Sequence, residues 1–174
     1  MKRQANSNEP ELKITLYQAL IKKDNFELTL QKCTEIGVSA FVPILAERSE
    51  KKGFNALRAL KVLKEAAEQS GRGIVPALAE PLDYRLAVSR VAATDTSTAI
   101  FHPDGEPIGS YSKSGKLLAL NIFIGPEGGF SEAEIDFARD FMKKGRPLDI
   151  VSLGKLILRA ETAGLVATGI LLNR

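Results

Sequence analysis

Apolar residues follow two spacings along this chain, and the alternation of the two predicts an α/β fold. Near-continuous apolar runs are typical of strands buried in a parallel sheet, whereas apolar residues three or four positions apart are typical of amphipathic helices. Strands are predicted at residues 13–20, 38–45, 97–102, 117–124 and 148–152. Helices are predicted at about residues 24–36, 54–70, 81–92 and 159–172, with a further helix beginning at Ser131. This order is typical of a largely parallel sheet covered by helices.

Single residues refine these elements. Asp24 and Glu27 have the spacing of a capping box, so the first helix is expected to begin after Asp24, and Gly37 is expected to end it. Cys33 lies on the apolar stripe of that helix and is therefore expected in the core rather than as a nucleophile. Pro43 predicts an edge position or a bulge in the second strand, because proline cannot donate a ladder hydrogen bond.

The composition is that of an ordinary globular protein and limits the function classes. The 174 residues include 44% hydrophobic and 26% charged residues, which suits one domain, placed at residues 12–174 after a flexible lead-in at 1–11. No apolar run approaches the roughly 20 residues that span a bilayer. The single cysteine makes a disulfide or a cysteine-rich metal site unexpected and favours a reducing cytoplasm. The net charge of +3 is compatible with a polyanionic partner without requiring one.

Three of the predicted strands end at turns rich in glycine or proline. These turns are His102-Pro-Asp-Gly105, Gly125-Pro-Glu-Gly-Gly129 and Leu153-Gly154. Ligands of open parallel sheets bind outside the carboxyl ends of the strands. We therefore expect the three turns to meet in one pocket.

The turn at Gly125 is the most informative of the three. It follows a buried strand and opens a helix whose start is fixed by a capping box of Ser131 and Glu134. It contains neither G-x-G-x-x-G nor G-K-[ST], so it does not resemble a dinucleotide or phosphate loop. Glu127 is a poor neighbour for a phosphate and a better one for a cation, such as a sulfonium. An ordinary glycine-rich turn remains the alternative.

A second charged group lies at the start of the last predicted helix. Arg159 opposes the helix macrodipole there, so it is expected to have a partner, either Glu161 or a ligand. The lone His102 lies at a strand end, where a structural role is as compatible with its position as catalysis.

Several segments, taken together and in order, resemble the small-subunit ribosomal RNA methyltransferase E family. These are Gln31-Lys-Cys-Thr-Glu-Ile-Gly37, Glu47-Arg-Ser49, Glu65-Ala-Ala-Glu-Gln-Ser-Gly-Arg72, Ile124-Gly-Pro-Glu-Gly-Gly-Phe-Ser131, Ser152-Leu-Gly154 and Ile157-Leu-Arg-Ala-Glu-Thr-Ala163. The resemblance covers about residues 12–173. It implies a SPOUT fold with a C-terminal trefoil knot, S-adenosylmethionine as the methyl donor, N3-methylation of a uridine in 16S ribosomal RNA, and a homodimer without metal.

The resemblance also implies roles for individual residues. The residues implied in cofactor binding are His102, Pro103, Ile124, Gly125, Glu127, Gly128, Ser152, Leu153, Gly154 and Leu158. As a mechanistic hypothesis, Arg159 is the expected cation for a developing uracil anion, with Arg72 and Arg48 as the other candidates. Glu127 or Glu161 is expected to accept the proton or orient a water. The residues expected to hold RNA phosphates are Arg48, Lys51, Lys52 and Arg72.

The chain departs from the family pattern at two places. Lys155 and Leu156 stand where the family usually has proline and arginine, which weakens any RNA contact at Leu156. Family members begin with a small RNA-binding domain of the PUA type, and this chain starts about where that domain would end.

Three other functions are compatible with the sequence. One is another SPOUT enzyme, acting on ribose 2′-hydroxyls or on transfer RNA. A second is a non-catalytic module that binds S-adenosylmethionine or RNA. The third is a generic doubly wound nucleotide-binding domain, against which the absent phosphate-loop motifs count.

Overall fold

Six helices and seven strands alternate along the described part of the chain; the computed structural model describes residues 8–49, 54–111 and 117–173. The strands are β1 (Lys13–Ala19), β2 (Ala40–Leu45), β3 (Ala77–Leu78), β4 (Leu82–Asp83), β5 (Thr98–Pro107), β6 (Ala119–Ile124) and β7 (Leu148–Ser152). The helices are α1 (Lys23–Ile36), α2 (Ala56–Gln69), α3 (Tyr84–Ala92), α4 (Ile108–Tyr111), α5 (Glu132–Lys143) and α6 (Ala160–Leu172).

The strands form one sheet in the order β3-β2-β1-β6-β5-β7, with β4 also beside β2. Every strand pair of the described residues is parallel, which confirms the predicted α/β class. Leu16 of β1 lies opposite Phe41 of β2 on one side and Ile122 of β6 on the other. Because the strands run the same way, the carboxyl ends of β1, β5, β6 and β7 meet at one edge.

Apolar side chains fill both faces of the sheet. On one face, Ile14 and Leu16 of β1 pack with buried residues of α1, α2 and α6. On the other face, Ala19 and Ile44 pack with buried residues of α3 and α5. The sheet is therefore the middle of three layers. No helix among the described residues is long and apolar enough to cross a membrane.

The start of α1 differs from the expected capping box. The helix begins at Lys23, and its N-cap, Lys22, makes no side-chain cap hydrogen bond. Glu27 instead forms an ion pair with Arg58 of α2, whose Nε lies 3.0 Å from its carboxylate. The Glu27 carboxylate is therefore paired with a residue on another helix, which the spacing of residues within α1 cannot reveal. The other end is as predicted: Gly37 closes the helix with its N–H on the carbonyls of Cys33 and Thr34.

Two prolines mark irregular strand positions. Pro43 lies in β2, which is not an edge strand, at the gap between its pairings with Leu78 of β3 and Leu82 of β4. Gln18 of β1 lies opposite Pro43 on one side, but on the side of β3 and β4 no strand residue is paired with it, so a missing N–H is tolerated there. Pro103 begins the interruption expected after residue 102, but β5 resumes and continues to Pro107, with its register against β7 shifted between Phe101 and Glu106.

The segment before β1 is docked against the body of the protein. Glu9 forms an ion pair with Arg72, at 2.6 Å between Oε2 and Nη2. The same guanidinium donates to the carbonyls of Thr34 and Val38. The lead-in expected to be flexible at 1–11 is therefore held in place over residues 8–11; residues 1–7 lie outside the described part. Arg72 is consequently occupied within the fold, with 6% of its side chain exposed, rather than free for RNA phosphates.

Candidate active site

The three predicted turns meet in one cleft at the carboxyl edge of the sheet. The volume of this first cleft is about 140 Å³. It is lined by Phe101, His102, Pro103, Ile124, Gly125, Pro126, Glu127, Gly129, Ser152, Leu153, Gly154, Lys155, Leu156, Ile157, Leu158, Ala160 and Ala163. The expected convergence is confirmed, because β5, β6 and β7 are adjacent and parallel.

Apolar walls and backbone groups give the first cleft its chemistry. Phe101 and Ile124 form its floor, both at least nine-tenths buried. Ser152 shapes the third turn, since its Oγ accepts from the N–H of Gly154 at 3.2 Å. His102 Nδ1 accepts from the N–H of Asp104 at 3.3 Å and so braces its own turn. Such a pocket suits a flat heteroaromatic group with a polar tail.

Gly128 is the one residue of the expected cofactor set that does not line the first cleft. Its carbonyl accepts a hydrogen bond from Arg48 Nη1 at 2.6 Å. A Cβ built on Gly128 would lie 3.1 Å from Arg48 Cδ. Gly128 therefore faces the arginine and does not line the first cleft, and its contact with a cofactor stays a prediction. Gly129, next in the chain, lines the cleft instead.

A second cleft adjoins the first. It is lined by Lys22, Asn25, Arg48, Ser49, Glu127, Ile157, Leu158, Arg159 and Glu161. Glu127, Ile157 and Leu158 belong to both linings, so these residues form the boundary between the two clefts. Each of these three residues could therefore contact a molecule in either cleft.

Charged side chains distinguish the second cleft from the first. Arg159, the N-cap residue of α6, has 80% of its side chain exposed and an Nη1 that lies 4.0 Å from Glu161 Oε1. Only 11% of the Glu161 side chain is exposed, and its Oε2 is buried without a hydrogen-bond partner among the described residues. A buried carboxylate oxygen without a donor is costly, so a bound group that donates a hydrogen bond to it would be stabilised there. The cleft thus pairs a nearly enclosed carboxylate with a solvated cation.

Glu134 forms the predicted capping box and also links two loops that border the clefts. The box with Ser131 is present as predicted, and Oε2 of Glu134 accepts from the Ser131 N–H. The other oxygen, Oε1, accepts from the N–H of Glu47 at 2.8 Å. One buried carboxylate therefore joins the loop after β2 to the loop after β6.

Lys22, Asn25 and Ser49 are cleft residues that the sequence reasoning missed. Lys22 and Asn25 follow the carboxyl end of β1. The strand-end rule, applied to β1 as well as to the later strands, would have found them. Lys51 and Lys52 lie outside the described residues, and Arg48 lines the second cleft.

One group of side chains near the first cleft has metal-ligand chemistry. Ligand atoms of His102, Asp104 and Glu132 lie within 4.8 Å of one another. Both carboxylates are exposed, and solvated acidic groups commonly lie this close without an ion. We assign no metal to them.

Comparison with known proteins matches this chain to one family. A family model described as an RNA methyltransferase domain matches residues 8–172. The ribosomal RNA small subunit methyltransferase E of Synechocystis sp. is 40% identical over 168 residues, covering 94% of this chain and 54% of that protein. The protein of the same name from Mesomycoplasma hyopneumoniae is 31% identical over 164 residues, covering 91% of this chain and 69% of that protein.

A solved structure shares the fold closely. The crystal structure of a ribosomal RNA small subunit methyltransferase E from Neisseria gonorrhoeae, bound to S-adenosylmethionine, superposes with a TM-score of 0.83 at 33% sequence identity. The match covers 96% of this chain and 68% of that one. This chain thus spans about half the length of the Synechocystis relative and about two thirds of the other two.

Proposed function

Because this chain belongs to the ribosomal RNA small subunit methyltransferase E family, we propose that it methylates N3 of a uridine in 16S ribosomal RNA, with S-adenosylmethionine as donor. The observation that carries the proposal is the pair of clefts that share Glu127, Ile157 and Leu158. Methyl transfer needs donor and acceptor side by side, and much of its rate comes from that positioning.

The first cleft fits an adenosyl group with a cationic tail. Its apolar walls suit an adenine ring, and the turns at Gly125 and Leu153 offer backbone donors and acceptors at its rim. Glu127 contributes a carboxylate to this lining, and its negative charge favours a positively charged sulfonium. When bound, S-adenosylmethionine supplies an electrophilic methyl group. The residues proposed to hold it are His102, Pro103, Ile124, Gly125, Glu127, Ser152, Leu153, Gly154 and Leu158.

The second cleft has the groups that a uridine target requires. N3 of uracil carries a proton at neutral pH and lies on the Watson–Crick edge, so the base must be unpaired or flipped out to react. Glu161 accepts that proton, or Glu127 does so from the boundary. Arg159 stabilises the negative charge that the uracil ring gains as the proton leaves.

Further parts of the proposal concern partners. Arg48, Lys51 and Lys52 contact RNA, in the cytoplasm where ribosomal subunits are assembled. The chain forms a homodimer with a trefoil knot near its C-terminus, as the family resemblance implies. Leu165, Val166 and Ile170 on the outer side of α6 support the dimer, because they leave apolar surface partly exposed.

The deciding experiment is a methyl-transfer assay on small ribosomal subunits purified from cells that lack this modification. Radiolabelled S-adenosylmethionine is supplied, the RNA is digested, and nucleosides are identified by mass spectrometry. N3-methyluridine is expected. A 2′-O-methylated nucleoside, or methylation of transfer RNA alone, would replace the proposed specificity. Donor binding without turnover would indicate a non-catalytic module, and failure to bind the donor would return the chain to a generic nucleotide-binding fold.

A further inference from the structure

Arg48 lines the second cleft and also contacts a loop that borders the first. It lies in the loop after β2 and lines the second cleft. Its Nη1 donates to the carbonyl of Gly128, which stands 80 positions later in the loop after β6. The residues on either side of Gly128, namely Glu127 and Gly129, line the first cleft.

The shape of Gly128 fits this contact. The three heavy atoms nearest to a Cβ built on Gly128 all belong to Arg48: Cδ at 3.1 Å, Cβ at 3.5 Å and Cγ at 3.9 Å. The aliphatic stem of the arginine therefore lies flat against the glycine. Gly128 does not have a positive φ. A side chain at position 128 would therefore require Arg48 to shift by a few tenths of an ångström.

A neighbouring contact fixes the backbone that carries Arg48. Glu134 accepts from the N–H of Glu47, and Ser49 Oγ accepts from the N–H of Ala46 at 3.0 Å. The loop is therefore anchored on both sides of Arg48. A guanidinium has five N–H donors in a rigid fork, and the bond to Gly128 uses one. Gly128 is its only hydrogen-bond partner among the described residues, so the other donors are available to the second cleft.

We propose that Arg48 couples the two clefts. Its guanidinium is held by the Gly128 carbonyl, in the loop that is proposed to bind the methyl donor, and it presents its remaining N–H groups to the target base. Binding of the methyl donor thereby prepares the target site. This inference rests on the proposed function. Arg48 is then a positioning residue whose placement depends on how well ordered residues 125–129 are, rather than a contact to an RNA phosphate. A ligand that orders residues 125–129 would then tighten target binding, and by linkage the target would tighten donor binding equally.

The fork geometry is tested by Arg48→Lys. A lysine ammonium keeps the positive charge but is a point charge without a fork, so it cannot hold Gly128 and the target together. We expect KM for small ribosomal subunits to rise at least about tenfold, with the affinity for S-adenosylmethionine measured without subunits within about twofold of the wild type. Arg58→Lys is the matched control, because Arg58 pairs with Glu27 outside both clefts and should leave both values unchanged. Full rescue by lysine would mean that Arg48 only contacts phosphate, and the proposal would fail.

The coupling itself is tested by Gly128→Ala, which inserts one methyl group against Arg48. Affinity of the unreactive product S-adenosylhomocysteine is measured with and without unmodified small ribosomal subunits. In the wild type we expect the subunits to tighten this binding at least about fivefold. In Gly128→Ala that factor should fall towards one, with the affinity measured without subunits retained. Arg48→Met, which keeps the stem and removes the donors, should lose the factor as well.

The results separate this proposal from the one on which it rests. Absence of methyl transfer by the wild type would defeat the proposed function. Normal methyl transfer with no coupling in the wild type, or with coupling retained in both Gly128→Ala and Arg48→Met, would defeat the role of Arg48 alone. Melting temperatures of the variants identify any loss that comes from misfolding.

Discussion

Arg159 and Glu161 show how differently two neighbouring charged residues can be placed. The guanidinium extends into solvent at the mouth of the second cleft, whereas the carboxylate is nearly enclosed. At 4.0 Å the two groups form an ion pair, as expected of Arg159, but the distance is too long for a hydrogen bond. Each side chain remains able to act on a bound base.

Arg159→Ala is expected to reduce kcat for methyl transfer by about 100-fold or more, the loss typical of removing one group that stabilises a developing charge. The melting temperature should not change, because 80% of the side chain is exposed. Arg146→Ala is the control, since Arg146 is exposed and lines neither cleft. An Arg159→Ala enzyme of normal activity would remove this residue from the mechanism.

Glu161→Gln tests the proton acceptor. We expect kcat to fall by about 100-fold or more, because general-base assistance contributes on that order. Stability should change little, because glutamine keeps the size of the side chain and still places a polar atom at the buried position that has no partner among the described residues. Glu132→Gln, an exposed residue outside both clefts, provides the comparison. If only Glu127→Gln loses activity, Glu127 is the acceptor instead.

Among the elements, strands were predicted better than helix starts. Each predicted strand is present because a buried parallel strand leaves a continuous apolar run. The capping box at Ser131 is correct and the one at Asp24 is wrong, because Glu27 has a closer partner on α2. The two-residue strands β3 and β4 and the one-turn helix α4 were not predicted, since so short a segment carries no periodicity.

The docked segment before β1 gives the protein a defined acid sensitivity. The hydrogen bond from Arg72 holds the pKa of the Glu9 carboxyl below its ordinary value of 4.5. The pair therefore stabilises the fold fully above about pH 4.5, and the contribution is lost as pH falls through the lowered pKa. Thermal melts at a series of pH values should show a smaller acid loss for Glu9→Gln than for the wild type. Parallel curves would contradict this.

Arg72→Met should lower the free energy of unfolding by about 3 kcal/mol, because it leaves Glu9 unpaired in a site where only 10% of its side chain is exposed. Arg58→Met breaks the more exposed pair with Glu27 and should cost less than about 1 kcal/mol. Urea unfolding compares the two variants. Equal losses of unfolding free energy in the two variants would show that the pair of Arg72 and Glu9 contributes no more than the exposed pair.

For the molecule as a whole, the place of the site was predictable and its inner geometry was not. Adjacent parallel strands bring their carboxyl ends together, so the turns after Phe101, Ile124 and Ser152 had to meet. The Gly128 carbonyl is held by a hydrogen bond from Arg48, and the second carboxylate oxygen of Glu134 is held by a hydrogen bond from the N–H of Glu47. Contacts between loops so far apart in sequence leave no local pattern.

The proposed dimer can be tested on the outer side of α6. Ile170→Glu places a charge on a side chain that is 41% exposed there, and it should shift the protein from dimer to monomer in sedimentation velocity. Leu57→Glu is the control, because Leu57 is 81% exposed on α2 and lies away from that helix. A monomeric wild type, or a dimer that survives the Ile170 change, would exclude this surface.

The order of the strands also decides when the protein can be completed during synthesis. β1 pairs with β6, where Lys13 lies opposite Ala119. One edge of β1 therefore stays unpaired until most of the chain has left the ribosome. Closing so long a loop is entropically slow, and an unpaired strand edge meanwhile invites association with other chains. The nascent protein should therefore depend on chaperones until the sixth strand emerges, and both clefts form last.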